Sequence, residues 1–390
     1  MSKNSIPAVR FCDFSDNWES KKIGDLGSVS MNKRIFKDET SETGEVPFYK
    51  IGTFGSEPDS FITREKFEEY KSKYPYPEIG DILISASGSI GRTLEYQGEE
   101  AYFQDSNIVW LKHDERLDNS FLKQFYSIVK WEGIEGTTIK RLYNKNILET
   151  PISLPSQEEQ SAIGSLFRTL DDLLSSYKDN LANYQSLKAT MLSKMFPKAG
   201  QTVPEIRLDG FEGEWEEKEF IQIVNRVTES SDSDSLPKVE FEDIISGQGK
   251  LNKDISSKFD NRKGILFKPG YTLYGKLRPY LNNWLLPKFE GVALGDFWVF
   301  DPNGNNSDFI YYLVQSSRYQ KVANDTSGTK MPRSDWKSVS TTIFAIPQTI
   351  AEQQAIGTYF SNLDNIINSH QEKISQLEDL KKKLLQDMFI

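Results

Sequence analysis

An α+β architecture is predicted for this chain of 390 residues: two mixed α/β globules joined by two long antiparallel helices related by a pseudo-two-fold axis. Two observations carry the prediction. A helical stretch is written twice at a constant shift of 193 positions, Gln160-Ser161-Ala162-Ile163-Gly164-Ser165-Leu166-Phe167 against Gln353-Gln354-Ala355-Ile356-Gly357-Thr358-Tyr359-Phe360, with Leu170-Asp171 matched by Leu363-Asp364. The segments before the two helices share their ends as well, in the order globule, helix, globule, helix.

The helices follow from periodicity. Ile163, Phe167, Leu170, Leu174, Tyr177, Leu181, Tyr184, Leu187, Met191 and Met195 step by mostly alternating fours and threes, which is a helical stripe. The second copy repeats it as Ile356, Phe360, Leu363, Ile367, His370, Ile374, Leu377, Leu380, Leu384 and Met388, with His370 as its one polar member. Each run should span on the order of 60 Å at ~1.5 Å per residue. A long helix with one apolar stripe needs a partner helix, and the obvious partner is its own repeat. Packed antiparallel, the pair would make a dumbbell.

The globules are read from shorter signals. In residues 1–155, strands are expected at 48–51, 81–85 and 108–111 between Gly, Ser and Pro punctuation, and a short helix at 121–129. Residues 198–347 restart the plan. Pro204-Glu205-Ile206-Arg207 with Phe211 and Trp215 echoes Pro7-Ala8-Val9-Arg10 with Phe14 and Trp18 at a shift of 197, and Gly136-Thr137 and Gly328-Thr329 each lie 19 residues before Pro155 and Pro347. Between these ends little aligns by eye. The expected division is 1–155, 156–197, 198–347 and 348–390, a duplicated scaffold with a diverged working surface.

Composition narrows the function classes. A single cysteine, Cys12, excludes an internal disulfide framework and fits a reducing compartment. The first residues do not resemble a signal peptide and no run approaches a membrane span, so a soluble cytoplasmic protein is expected. Net charge is −10, unfavourable for phosphate contact, but it is unevenly spread: residues 205–243 carry 13 acidic against 4 basic side chains, and residues 250–288 carry 9 basic against 2 acidic. Either a solvated face or a nucleic-acid surface would explain the basic stretch.

Motifs for chemistry are sparse. Gly270-Tyr271-Thr272-Leu273-Tyr274-Gly275-Lys276-Leu277 has P-loop spacing, but Leu277 replaces the magnesium-binding hydroxyl. Asp59, Glu69 and Lys71 have the letters of a metal-dependent nuclease at loose spacing. Only His113 and His370 accompany the one cysteine, so a zinc site is not expected; His113 reads as a solvated turn residue and His370 as a packing residue. The Asn/Asp-Pro-Pro-aromatic motif of amino-methyltransferases and the Rossmann glycine fingerprint are both missing. Gly88-Ser89-Ile90-Gly91-Arg92 reads either as a plain turn or as an anion-binding turn offering backbone N–H groups and Arg92.

Two globules on a spacer suit a long, repetitive partner such as duplex DNA. The paired motifs Glu159-Gln160, Ile163, Leu170-Asp171 and Glu352-Gln353, Ile356, Leu363-Asp364 resemble those of the specificity (S) subunit of type I restriction-modification systems. So do Gly80-Asp81-Ile82-Leu83-Ile84 leading to Ser87-Gly88-Ser89-Ile90-Gly91-Arg92, Leu273-Tyr274-Gly275-Lys276-Leu277-Arg278-Pro279-Tyr280-Leu281, and Gly328-Thr329-Lys330-Met331-Pro332-Arg333. The resemblance covers the whole chain. It implies that each globule is a target-recognition domain reading one half of a bipartite site in double-stranded DNA, with the helices setting the spacing. It also implies two methyltransferase (modification) subunits docked on the helices and motor-nuclease (restriction) subunits beyond them. Catalysis, S-adenosylmethionine, ATP and Mg would belong to those partners, with no cofactor or metal in this chain.

Base reading requires Arg or Lys for guanine and Asn or Gln for adenine. The candidates are Ser87, Ser89, Arg92, Lys140, Arg141 and Asn144 in the first globule, and Tyr274, Lys276, Arg278, Asn282, Lys330 and Arg333 in the second. Lys33, Arg34 and Lys37 are secondary phosphate candidates. Arg278 precedes Pro279, a restrained backbone that favours a defined pose of the side chain. The helix-pair seam is expected at Ile163, Phe167, Leu170, Leu174, Tyr177, Leu181, Ile356, Phe360, Leu363, Ile367, His370 and Ile374. Competing readings are a protein-binding coiled-coil scaffold without DNA recognition and a self-contained nuclease using Asp59, Glu69 and Lys71.

Overall fold

The computed structural model describes residues 6–134, 136, 140–256, 261–325 and 331–390. Two compact units divide the chain: Met1–Tyr177 with Lys373–Ile390, and Lys178–Glu372. The cuts fall inside the long helices, so the helix pair is not a body of its own. The reason is packing: Ile163 and Phe167 belong to the same buried cluster as Trp18, Phe121 and Leu154, and Ile356 and Phe360 to that of Trp215 and Phe309.

In the first unit a four-stranded antiparallel sheet runs in the order Gly27–Ser30, Ile108–His113, Ile82–Ser85, Thr93–Glu95. The central strand Ile82–Ser85 is wholly buried, which is why it reads as a continuous apolar run. A smaller sheet pairs Val46–Tyr49 parallel to Tyr102–Phe103. The expected strand at 48–51 therefore starts two residues earlier. The short helix is Asn119–Ile128, begun by the Asp118 carboxylate, which accepts from the Ser120 and Phe121 amides.

The second unit is built the same way. Its four-stranded sheet runs Asn225–Val227, Phe297–Asp301, Thr272–Gly275, Trp284–Leu285, and its second sheet pairs Lys238–Val239 parallel to Gly291–Ala293. In each unit an antiparallel ribbon joins the first strand to the last, Glu19–Lys22 with Pro151–Leu154 and Glu216–Glu219 with Ile343–Ile346. The interiors that did not align by eye thus share the strand order of this main sheet, because pairing is a backbone property that different side chains and loop lengths can serve, while their second sheets have three strands in the first unit and four in the second.

The long helices are Gln157–Lys194 and Ile350–Asp387, 38 residues each. They pair antiparallel within each unit. In the first, Asp171 bonds Lys381; in the second, Asp364 lies 2.7 Å from Lys188, and Tyr184 meets His370 edge-on at 5.2 Å. Asp364 and Lys381 are the repeat equivalents of Asp171 and Lys188, so each ion pair takes one member from each copy. This reciprocity is what antiparallel pairing of two copies of one helix requires.

Along the seam, Leu170, Leu174, Leu363 and Ile367 are buried, while Tyr177, Leu181, His370 and Ile374 are half-buried. Leu187 and Leu380, assigned to the stripe from sequence, are instead 37% and 44% exposed. The alternating steps average less than 3.6 residues per turn, so the stripe drifts off the contact line. His370 packs as expected, its Nδ1 2.9 Å from the Ile366 carbonyl.

The repeated letters Glu-Gln and Gly now have physical causes. Arg10 donates from Nε and Nη2 to the two oxygens of Glu159, both at 2.6 Å, and Trp18 Nε1 donates to the same carboxylate at 3.2 Å. Arg207 and Trp215 repeat this on Glu352 at 2.7, 2.8 and 3.1 Å. These bonds hold both guanidinium groups above their ordinary pKa. Gln160 accepts from the Asp118 amide and donates to the Arg116 and Pro155 carbonyls; Gln353 accepts from the Asn306 amide and donates to Asn305 and Pro347. A Cβ on Gly164 would lie 1.7 Å from Ser120 Oγ, and one on Gly357 would lie 2.7 Å from Asp308 Cβ, so each helix presses on its globule where only glycine fits.

Removing one member of a buried bidentate pair strands the other, so Glu352→Ala should cost about 3 kcal/mol in chemical unfolding, and Glu159→Ala a similar amount. Leu187→Ala, at an exposed position, should stay within about 0.5 kcal/mol of the parent. Equal stability of Glu352→Ala and parent would show that this carboxylate does not hold helix to globule.

Candidate nucleic-acid interface

In both units the central strand ends in a loop that is tied to a basic segment far along the chain. In the first, the Gly88 amide donates to the Lys140 carbonyl at 3.0 Å and the Leu142 amide to the Ala86 carbonyl at 2.8 Å, with a bridge between Ser87 and Arg141. In the second, the Arg278 amide donates to Pro332 at 2.7 Å and the Ser334 amide to Lys276 at 2.8 Å, with a bridge between Leu277 and Arg333. One bonding pattern therefore gathers Ser87, Ser89, Arg92, Lys140 and Arg141 in one unit, and Lys276, Arg278 and Arg333 in the other. Asn144 is nearby in sequence, exposed at the start of the helix Asn144–Glu149. Lys330 lies outside the described residues.

The first loop is folded tightly on Ser85. Its hydroxyl donates to the Ser89 carbonyl at 2.6 Å and accepts from the Arg92 amide at 2.9 Å, and Gly88 and Gly91 take φ of 66° and 87°, which suits glycine. This corrects the anion-binding reading of the backbone. The amides of Gly88, Ile90, Gly91 and Arg92 all donate within the fold. Side chains remain: Lys140, Arg141 and Ser89 are exposed, and Arg92 spends one donor on the Ile51 carbonyl at 2.6 Å, with its guanidinium over Phe54. Ser87 is also corrected, being 3% exposed with its hydroxyl donating to Asn107 Oδ1 at 2.8 Å; it braces the loop from inside.

In the second unit Tyr274 is corrected in the same way. It is fully buried and stacks on Trp298 with centroids 6.0 Å apart, and burial pushes its phenol up to about 12. It supports the loop from beneath and does not reach its surface. Above it, Asp296 lies 3.6 Å from Lys276 Nζ and 2.9 Å from Arg333 Nη2, so one carboxylate holds two of the candidate cations in place. Arg278 takes a left-handed pose, φ 48°, ψ 61°, because the bond to Pro332 and the turn after it require a reversal there. Its guanidinium is exposed, with no hydrogen-bond or ionic partner among the described residues. Asn282, half-buried at φ 54°, closes the turn and accepts from the Gly247 amide at 3.0 Å.

The acidic and basic stretches answer each other in part. Lys253 pairs with the buried Asp243 at 2.8 Å and Arg262 with Glu240 at 2.5 Å, both acids coming from residues 205–243. The positive excess read from sequence is thus partly internal, and Arg278 is among the cations of that stretch that stay outside it. Among the secondary candidates, Arg34 pairs with Asp105 at 2.9 Å and Lys33 lies over the Tyr74 ring. Lys37 opens a short 3-10 turn.

The catalytic alternatives find no geometry. Asp59 pairs with Lys50 and Glu69 with Lys73, while the Lys71 ammonium lies over the rings of Phe67 and Tyr76. Among the described residues no group of three or more His, Cys, Asp or Glu side chains is arranged to hold a metal ion. Gly270, at φ 83°, turns the chain into a strand, whereas a P-loop leads out of a strand into a helix. His113 ends a strand, its ring 2.8 Å from the Asp114 carbonyl and 2.7 Å from Asn119 Oδ1, and is more engaged than a solvated turn residue. No helix among the described residues is long and apolar enough to cross a membrane.

Comparison with known proteins meets this geometry. The family described as type I restriction modification DNA specificity domain matches twice, at residues 15–183 and 215–379, once per repeat. The putative type I restriction enzyme specificity subunit S.HindORF215P of Haemophilus influenzae is 53% identical over 161 residues, which is 41% of this chain and 42% of that protein. The type I restriction enzyme MjaVIII specificity subunit of Methanocaldococcus jannaschii is 21% identical across 95% of this chain and 91% of its own length. The crystal structure of a type I restriction-modification system S subunit from M. genitalium superposes with a TM-score of 0.63 at 16% identity, covering 99% of both chains, a likeness of fold.

Proposed function

This chain belongs to the type I restriction modification DNA specificity family, a non-catalytic component whose systems keep catalysis in other subunits, and we propose that it reads an asymmetric, bipartite DNA site with one half assigned to each globule. The observation that carries the proposal is the twin loop: the same two backbone bonds in each unit, dressed with different side chains. Identical scaffolding supports an equivalent role, and different side chains support different half-sites. Ser89, Arg92, Lys140, Arg141 and Asn144 would face one half; Lys276, Arg278, Asn282 and Arg333 would face the other. Local cations on a chain of net charge −10 make contact possible only where these loops approach phosphate, so binding should weaken steeply with salt. A protein-only scaffold would show no such dependence.

The helices suit the partner subunits. Leu173 and Leu380 are exposed in the first unit, Leu187 and Ile366 in the second, and Ile366 and Leu380 are the repeat equivalents of Leu173 and Leu187. In the antiparallel register set by Asp171 with Lys381 and Asp364 with Lys188, each unit carries its two apolar residues at one level of the pair. Two equivalent apolar steps support a partner bound in two copies, the methyltransferase subunits. S-adenosylmethionine, ATP and Mg would enter with these and with the motor-nuclease subunits, in the cytoplasm.

Mapping methylated adenines in DNA from cells expressing this chain with its cognate methyltransferase should give one motif in two halves. Arg278→Ala should relax one half by about tenfold in discrimination, and Arg92→Ala the other. Equal loss at both halves in either variant would refute the division of labour. Four residues inserted into one long helix add about 6 Å and should change the tolerated spacer between halves; an unaltered spacer would show that the helices are not the ruler. Leu173→Asp combined with Leu380→Asp should reduce the methyltransferase recovered with the purified chain, and full recovery would place docking elsewhere.

A further inference from the structure

Among the described residues, four non-glycine positions take a positive φ: Ser106, Arg278, Asn282 and Asn303. Two of them bracket a single turn, the 3-10 helix Pro279–Leu281. Left-handed backbone costs an L-residue free energy at each occurrence and persists where surrounding bonds over-determine it. Here they do. Arg278 is tied to Pro332 at 2.7 Å, Leu281 and Asn282 close on the carbonyls of Arg278 and Pro279 at 2.9 Å each, and Gly247 donates to Asn282 at 3.0 Å. The Ser246 hydroxyl adds a bond to the Leu281 carbonyl, and Pro279 is buried beneath.

What this strained, pinned turn presents is Tyr280. It is 58% exposed, the one aromatic side chain of the second unit, among the described residues, that stands out in solvent. Its ring and hydroxyl have no hydrogen-bond, ring or cation partner among the described residues. A large ring left in water on a mobile tip would be unremarkable surface. Held rigidly beside the unpaired Arg278, with Met331 also 52% exposed next to Pro332, it makes a fixed apolar point flanked by a cation. That combination is how proteins pack on bases: an aromatic or apolar group against the base, a guanidinium against a phosphate or a guanine edge. The equivalent turn of the first unit carries Ser89 and the half-buried Ile90, with no aromatic side chain.

We propose that Tyr280 is a base-contacting, specificity-determining residue of the second unit, its ring packing on a base of the half-site which that unit reads. The proposal rests on the chain's reading as a DNA-specificity subunit and adds an asymmetry to it: one half-site is read with an aromatic contact and the other without. In a duplex such a ring packs on a base edge, for instance a thymine methyl, and its loss weakens binding by about tenfold, the scale of one lost base contact.

The test uses the full chain in complex with its cognate methyltransferase, as parent, Tyr280→Ala, Tyr280→Phe and Arg278→Ala. Motifs are mapped from methylated adenines and affinities measured on the mapped duplex. In the expected result Tyr280→Ala binds about tenfold more weakly and relaxes a position within the half-site that Arg278→Ala also affects, the other half staying intact, while Tyr280→Phe retains the parent motif. If Tyr280→Ala keeps the parent motif and affinity while Arg278→Ala relaxes its half, the Tyr280 contact is wrong and the DNA reading stands. If neither variant changes either half, the loop assignment falls and the Tyr280 contact with it. A uniform loss at both halves accompanied by a lowered melting temperature would make Tyr280 structural and overturn the proposal.

Discussion

The rest of the structure depends on two buried carboxylates. Glu159 and Glu352 sit at the starts of the long helices, 1% and 4% exposed, each gripped by an arginine fork and a tryptophan N–H from the opening segment of its own globule. Taking such a charge out of water returns little net stability compared with a well-packed apolar pair. What it supplies is geometry. A planar guanidinium bonded through two nitrogens to one carboxylate admits a single relative orientation, and the indole N–H fixes the remaining rotation. Each helix therefore leaves its globule in one direction.

From that joint outward the order of constraints is clear. The glutamine after each carboxylate satisfies backbone groups at the turn before the short globule helix, and the glycine four residues later lets the long helix press against it. The two-stranded ribbons hold first strand to last, and the four-stranded sheets carry the two loops that face outward. Rigid supports of this kind let loop side chains differ without altering where the loops stand.

The helices were legible in the sequence because a 3.6-residue period and a duplicated motif are strong local signals, and so were the first unit's strands Ile82–Ser85 and Ile108–His113, whose apolar runs are buried, whereas the strand Thr272–Gly275 of the second unit was not read. The interior likeness of the globules was not. It resides in bonds such as Gly88 to Lys140 and Arg278 to Pro332, which join distant backbone groups without dictating side chains. The candidate loops were found through their glycines and arginines, yet Ser87 and Tyr274, which look like surface donors on paper, are buried supports. Composition also misled in part, because the acidic and basic stretches fold against each other through Asp243 and Glu240. The left-handed turn that displays Tyr280 has no sequence signature beyond a proline, which marks a restrained backbone without fixing its hand.

The reciprocal ion pairs carry a consequence for how such a chain can change. Asp171 needs the lysine of the other copy, and Asp364 needs the lysine of the first. All four side chains are partly withdrawn from water, Lys188 and Asp364 the most, at 14% and 22% exposure. A substitution in either helix thus leaves an unmatched charge in a partner encoded some two hundred codons away. Duplication gave the chain two copies that are free to diverge in their loops, and the same event made each helix the inherited template against which the other must be kept.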